Sequence, residues 1–216
     1  MMRLVGVVLL WMVLLVVACT GQNGTSAGIP DTGVLFADQF VPGETGRWLI
    51  EGDRVSAAAL RNEQLTIAVN EAQTVHYATL DNEIFTDFVL DVETTLLSGN
   101  PENSFGVLFR MADGQQFYRF ALTGSGLYMV ERRDGDSVAS LTQGWLDSVD
   151  LVQGVGAVNR LQIRVEGDQF AFTINGAPTT ELTDGSFTRG NIALDAGTFA
   201  RPGIEVAFDN LVITRP

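Results

Sequence analysis

From Val34 to the C-terminal end, apolar and polar residues alternate with a period of two. Turn residues interrupt the pattern roughly every eight to twelve positions, and no helical period is sustained. Successive side chains of a strand point to opposite faces, so this alternation marks strands buried on one side only. In "FVLDVETTL", Phe88, Leu90, Val92, Thr94 and Leu96 share one face and Val89, Asp91, Glu93 and Thr95 the other. In "RLQIRV", Leu161, Ile163 and Val165 alternate with Arg160, Gln162 and Arg164; in "QFAFTI", Phe170, Phe172 and Ile174 alternate with Gln169, Ala171 and Thr173, and "EGD" between the two runs reads as a hairpin turn. A parallel sheet under helices would give continuous apolar runs instead. The pattern therefore predicts an all-β domain of two antiparallel sheets packed face to face over 34–216, with no helix beyond the leader and short turns.

Turn spacing predicts registers for the middle strands. If "ADGQ" (Ala112–Gln115) is a four-residue loop, Phe105 faces Leu122, Val107 faces Phe120 and Phe109 faces Tyr118. A four-residue "TGSG" loop sets Phe120 against Met129, and pairing across "SGNPEN" sets Val92 against Phe109. All three registers bury the same face, and a one-residue slip in any of them would invert it. The opposite face then reads in rows: Asp91, Arg110, Phe117, Arg132; Glu93, Leu108, Arg119, Val130; Thr95, Gly106, Ala121, Tyr128. On a solvated sheet, Asp91 with Arg110, and Phe117 between two arginines, are cross-strand charge and cation–π pairs.

Ahead of the strands, residues 1–18 carry a short charged end with Arg3, then an apolar run from Leu4 to Val17. That run is about 14 residues, short of the roughly 20 a spanning helix needs and within the range of an export signal. Val16-Val17-Ala18-Cys19 resembles the bacterial lipoprotein box. The resemblance implies cleavage before Cys19, a thioether-linked diacylglycerol on its sulfur and an added acyl chain such as palmitate on the new amino group. Two or more chains anchor stably where one does not. Residues 19–33, with "TGQNGTSAGIPDTG", are rich in Gly, Ser and Thr and read as a flexible linker. The expected location is extracytoplasmic, with the membrane as a partner through the lipid on Cys19. Cys19 is the one cysteine of the chain, so no intramolecular disulfide helps the domain hold together.

Composition removes several functions. All 13 basic residues are arginine, against 26 Asp and Glu, for a formal net charge of -13. Without lysine there is no Schiff base, and His76 alone makes no multi-histidine zinc site. A strongly negative chain with no basic run is repelled by phosphate backbones, which argues against a nucleic-acid partner.

"FADQF", "FGVLFRMADGQQFYRFAL", "NRLQIRVEGDQFAFTINGAP", "DGSFTRGNIAL" and "FDNLVI" together resemble the concanavalin A-like, laminin G-like jelly rolls, and among them bacterial domains allied to a sugar-hydrolase family of unknown function. The resemblance implies a two-sheet jelly-roll sandwich that binds a glycan or another envelope component. It also implies that the face holding Arg110, Phe117, Arg119, Tyr128 and Arg132 is the concave, ligand-binding one, with Trp145 of "GWLDS" as either a loop platform for a sugar or a core plug. Two alternatives stay open: a protein-interaction module, or a glycoside-processing enzyme using Asp91 and Glu93, whose Cα atoms in one strand lie roughly 6–7 Å apart. The chain departs from the Glu-x-Asp-x-x-Glu strand of sandwich-fold glucanases, because Glu51-Gly-Asp53 and Glu166-Gly-Asp168 each lack the third glutamate. No cofactor is expected; Asp38 and Asp209, on first and last strands that lie side by side in such folds, are the alternative site for a structural calcium. Asp134-Gly-Asp136 reads as a turn and His76 as a half-buried strand residue.

Overall fold

The computed structural model describes residues 33–41 and 47–216. The leader, Cys19 and the linker before Gly33 lie outside them. The described residues form two antiparallel sheets and no helix. In one sheet the order is β14 (Ala177–Thr183), β13 (Gln169–Ile174), β12 (Val158–Glu166), β6 (Phe88–Gly99), β16 (Ile204–Thr214), β4 (Gln64–Val69), β3 (Ser56–Arg61), with β1 (Val34–Asp38) also on β16. In the other it is β10 (Ser137–Ser140), β9 (Leu127–Asp134), β8 (Gln116–Thr123), β7 (Ser104–Asp113), β15 (Asn191–Gly197), β5 (Val75–Leu80), β2 (Trp48–Leu49), with β11 (Leu146–Asp147) on β9. They are called the first and second sheet below.

The alternating residues of β6, β12 and β13 supply one wall of the core, all buried as their period predicts. Phe109 and Phe120 of the second sheet meet Phe170 and Phe172 of the first, with ring centroids 5.5 Å apart for Phe109–Phe170 and 4.8 Å for Phe120–Phe172. Edge-to-face and tilted contacts of this kind add to what area burial contributes.

Three registers differ from expectation. First, β6 pairs with β12 and β16, not with β7, so the chain between Gly99 and Ser104 crosses from one sheet to the other. Gly99 has φ of 102°, and the backbone bonds Asn100 N to Gly203 O and Asn103 N to Asn100 O bend the crossing into a compact arch. Val92 and Phe109 are both buried, but on different sheets. Second, β8 and β9 set Phe120 against Val130 and Leu122 against Tyr128, one residue beyond the expected register. Leu127 N bonds Thr123 Oγ1, which draws Leu127 into the turn. Tyr128, Val130 and Arg132 thus turn inward, and Met129, Glu131 and Arg133 outward.

Third, the β7–β8 ladder keeps the expected register from Phe105–Leu122 to Phe109–Tyr118 and then slips to Asp113–Gln116. The hairpin closes on Gly114 and Gln115, with Asp113 Oδ1 accepting from the N–H groups of Gln115 and Gln116. The slack is taken up in a bulge at Arg110, whose φ is 48°.

Candidate functional site

On the outer face of the second sheet lies a groove of about 270 Å³. The period of two places its floor: Leu108 on β7, Phe117 and Arg119 on β8, and Asp195 on β15 all point away from the core. Leu108, Met111, Phe117 and Ala193 make a small buried apolar cluster separate from the main core. Tyr77 and Val75 form one wall; Glu131, Arg133 and Val138 form the other, beside the hairpin tip at Gly114.

The polar half of the floor is built around Arg119. Its Nε donates to Asp195 Oδ2 at 2.9 Å, and Nη2 lies 2.7 Å from the same oxygen and 3.0 Å from Ser104 Oγ. Nη1 lies 3.6 Å from Glu131 Oε1. Arg119 reaches Ser104, four residues along β7 from its own strand partner Leu108, across the row of Gly106 and Ala121, which present nothing bulky. Gly106 is required there, because a Cβ would press into the Phe120 carbonyl oxygen. Asp195 is wholly buried, and its Oδ1 has no hydrogen-bond partner. Burial pushes the Asp195 carboxyl above the usual range although Arg119 pulls it down. For Arg119, burial opposes the charge, but Asp195 and Glu131 outweigh it and hold the guanidinium above its ordinary value.

Of the residues expected on a binding face, Phe117 and Arg119 lie in this groove. The other four do not line it. Arg110 is 1% exposed. The bulge turns it inward, where Nη1 donates to Phe187 O and Nη2 to Thr86 O, and its guanidinium carbon lies 5.3 Å from the centre of the Phe170 ring. Tyr128 belongs to the core and donates to Thr179 O, and Arg132 pairs with Asp184, both because the β8–β9 register is one residue further on. Trp145 is part-buried, edge-on to Phe199 at 6.2 Å.

Asp91 and Glu93 lie on the outer face of the first sheet, away from any arginine of the second. Asp91 accepts from Arg160 Nε at 2.9 Å and from Gln162, and Glu93 from Asn210 at 2.9 Å. The expected pair of Asp91 with Arg110 does not form, because β6 and β7 belong to different sheets. Asp38 accepts from Phe40 N at 2.7 Å and Trp48 Nε1 at 2.9 Å, and Asp209 from Asn210 N. Both oxygens of Asp38 thus accept from donors of its own neighbourhood. No cluster of three or more metal-binding side chains occurs among the described residues. His76 is half-buried as expected, between Ser56 Oγ and the Glu51 carbonyl.

The groove also holds Tyr77, Glu131, Arg133 and Asp195, which the sequence pattern does not single out as site residues. Glu131 and Arg133 were hidden by the one-residue register difference. Asp195 had a signal: a carboxylate inside the otherwise apolar "NIALDAG". A larger depression of about 490 Å³ beside β12–β14 is lined by Arg164, Glu166, Gln169 and Glu181. Its charges are exposed and Arg164 is already paired with Glu166, so it lacks the buried, unpartnered group that distinguishes the groove.

A family model described as the 3-keto-alpha-glucoside-1,2-lyase-like domain matches residues 42–214. Among solved structures, a carbohydrate-binding module from Bacillus subtilis aligns with a TM-score of 0.63 at 15% identity, covering 77% of this chain and 94% of that one. A Bacillus subtilis protein of unknown function with a galectin-like fold gives 0.65 at 12% identity, covering 85% and 96%. A Bacillus licheniformis β-glucanase gives 0.63 at 8% identity, covering 86% and 99%. At these identities the likeness is one of fold, the concanavalin A-like jelly roll. No curated protein matches the chain in sequence.

Proposed function

The chain belongs to the 3-keto-alpha-glucoside-1,2-lyase-like domain family, and on that premise we propose that it is a lipid-anchored extracytoplasmic protein whose β-sandwich binds a glycan in the outer-face groove of the second sheet. The observation that carries the reading is the groove's two-part floor, with Leu108 and Phe117 on one side and the Arg119–Asp195 pair on the other. A pyranose has the same division, C–H faces that pack on aromatic and aliphatic side chains and hydroxyls that need both donors and acceptors. The fold is shared with a carbohydrate-binding module and a β-glucanase, which supports the same class of ligand. The lipoprotein box at Val16–Cys19 supports the anchor. A glycan array followed by calorimetry on the full chain tests the binding. Saturable binding lost in Phe117→Ala is expected, and binding equal in that variant contradicts the assignment to this groove.

One observation favours a second reading, catalysis. A buried carboxylate oxygen without a partner, next to a guanidinium, suits proton abstraction beside a ketone. Asp195 Oδ1 takes the proton from the carbon adjacent to the carbonyl, and Arg119 holds the resulting enolate oxygen. The enolate electrons then expel the glycosidic oxygen from the neighbouring carbon, and it leaves as the alcohol with the proton that Asp195 took up, which returns the carboxylate to its starting state. Turnover of a 3-keto-glucoside by the full chain, abolished in a folded Asp195→Asn variant, is the expected result; absence of turnover removes this reading and leaves the binding one.

A further inference from the structure

The groove floor contains a hydrogen-bond set that the protein leaves half made. Asp195 Oδ2 accepts both approaches from Arg119, while the buried Oδ1 of the same carboxylate has no partner. On Arg119, Nε and Nη2 are engaged with Asp195 and Ser104, and Nη1 has only the looser 3.6 Å approach of Glu131. A carboxylate oxygen out of water and without a donor is unfavourable until one is supplied. Adjacent hydroxyls of a sugar ring meet the remaining need, since one donates to Oδ1 while its neighbour accepts from Nη1.

Charge narrows the class. The groove lining sets two guanidiniums, Arg119 and Arg133, against two carboxylates, Asp195 and Glu131, and Arg133 directs its Nε to Gly135 O. An acidic sugar would add an uncompensated anion to a charge-balanced site, on a chain of formal net charge -13. An ammonium would lie against Arg119, which already occupies the other oxygen of Asp195. Oδ1 is closed to bulk water, and Tyr77, the strand partner of Asp195 on β5, borders it and is 39% exposed, so entry of a hydroxyl requires displacement at this wall.

Resting on the glycan-binding reading, we infer that the groove selects an uncharged saccharide that presents two adjacent hydroxyls to Asp195 Oδ1 and Arg119 Nη1. The test titrates the full chain with neutral gluco- and manno-oligosaccharides, with oligogalacturonates and with glucosamine oligomers, by calorimetry. A neutral saccharide should bind, about tenfold or more tighter than any charged one of equal length, and lose about tenfold when one of the two contacted hydroxyls is removed in a deoxy series. The deoxy series uses the unaltered protein, so it holds even if Asp195→Asn, which leaves Arg119 without its partner, fails to fold. A charged oligosaccharide that binds as tightly as the neutral ones overturns the inference and leaves the glycan-binding reading standing. So does a neutral ligand indifferent to every hydroxyl deletion. Binding by no saccharide of any charge overturns both.

Discussion

Arg110, Arg119 and Arg132 would share one face of a uniform ladder, yet each has a different environment. Arg119 is paired in the groove, Arg110 is turned inward by a bulge, and Arg132 is turned inward by a register step. Because Arg119 and Asp195 are both buried, Arg119→Met alone should lower stability by about 3–5 kcal/mol, while the double variant Arg119→Met/Asp195→Leu should recover most of that loss in urea unfolding. Tyr118 donates to Asp184 Oδ1 at 2.7 Å and accepts from Phe187 N at 3.1 Å, so it ties the chain after β14 to the core. Tyr118→Phe should cost about 1–3 kcal/mol by the same measurement, with the groove unaltered. Burial works to raise the Asp184 carboxyl, but hydrogen bonds from Ser186 and Tyr118 and the charge of Arg132 outweigh it and hold it below 3.8. A depressed folded value means that its contribution to stability is complete above pH 3.8 and is lost as the pH falls through the lower folded value. Asp184→Asn should therefore flatten the acid limb of unfolding midpoint against pH below that point. Asp195, raised by burial, has the opposite sign: its protonated form favours the folded state, and that contribution fades as the pH rises through its folded value.

At the scale of elements, strand identity and the buried faces of β6, β12 and β13 were legible because side-chain period is a local property. The β7–β8 pairing was legible as far as Phe109, because a short turn determines register. Sheet membership was not legible at Gly99–Ser104, since a six-residue "SGNPEN" serves equally as a hairpin loop or as an arch between sheets, and the choice depends on Gly203 contacts about 100 positions away. The β8–β9 step was hidden for a different reason: a single side-chain bond, Thr123 Oγ1 to Leu127 N, lengthens the turn. That one residue moved Tyr128 and Arg132 out of the candidate site and brought Glu131 and Arg133 into it. Gly106 marks where β7 and β8 approach too closely for a side chain, so Gly106→Ala should destabilise by about 1–3 kcal/mol, read as a lowered melting temperature of the folded chain.

At the scale of the whole molecule, the sandwich holds without a disulfide, by a core in which both sheets contribute aromatic rings, and this leaves the outer face of the second sheet free to carry charged chemistry. If Cys19 bears the lipid, Cys19→Ser should move the protein from the membrane to the soluble fraction of the cell, read by fractionation, with glycan binding unchanged. The central claim, that the ligand face is the groove of the second sheet, is tested most directly by a heteronuclear NMR titration of the full chain with the tightest neutral oligosaccharide. The account predicts saturating shifts confined to the neighbourhood of Tyr77, Leu108, Phe117, Glu131 and Asp195. Shifts centred instead on Asp91, Arg160 and Arg164 of the first sheet would contradict it.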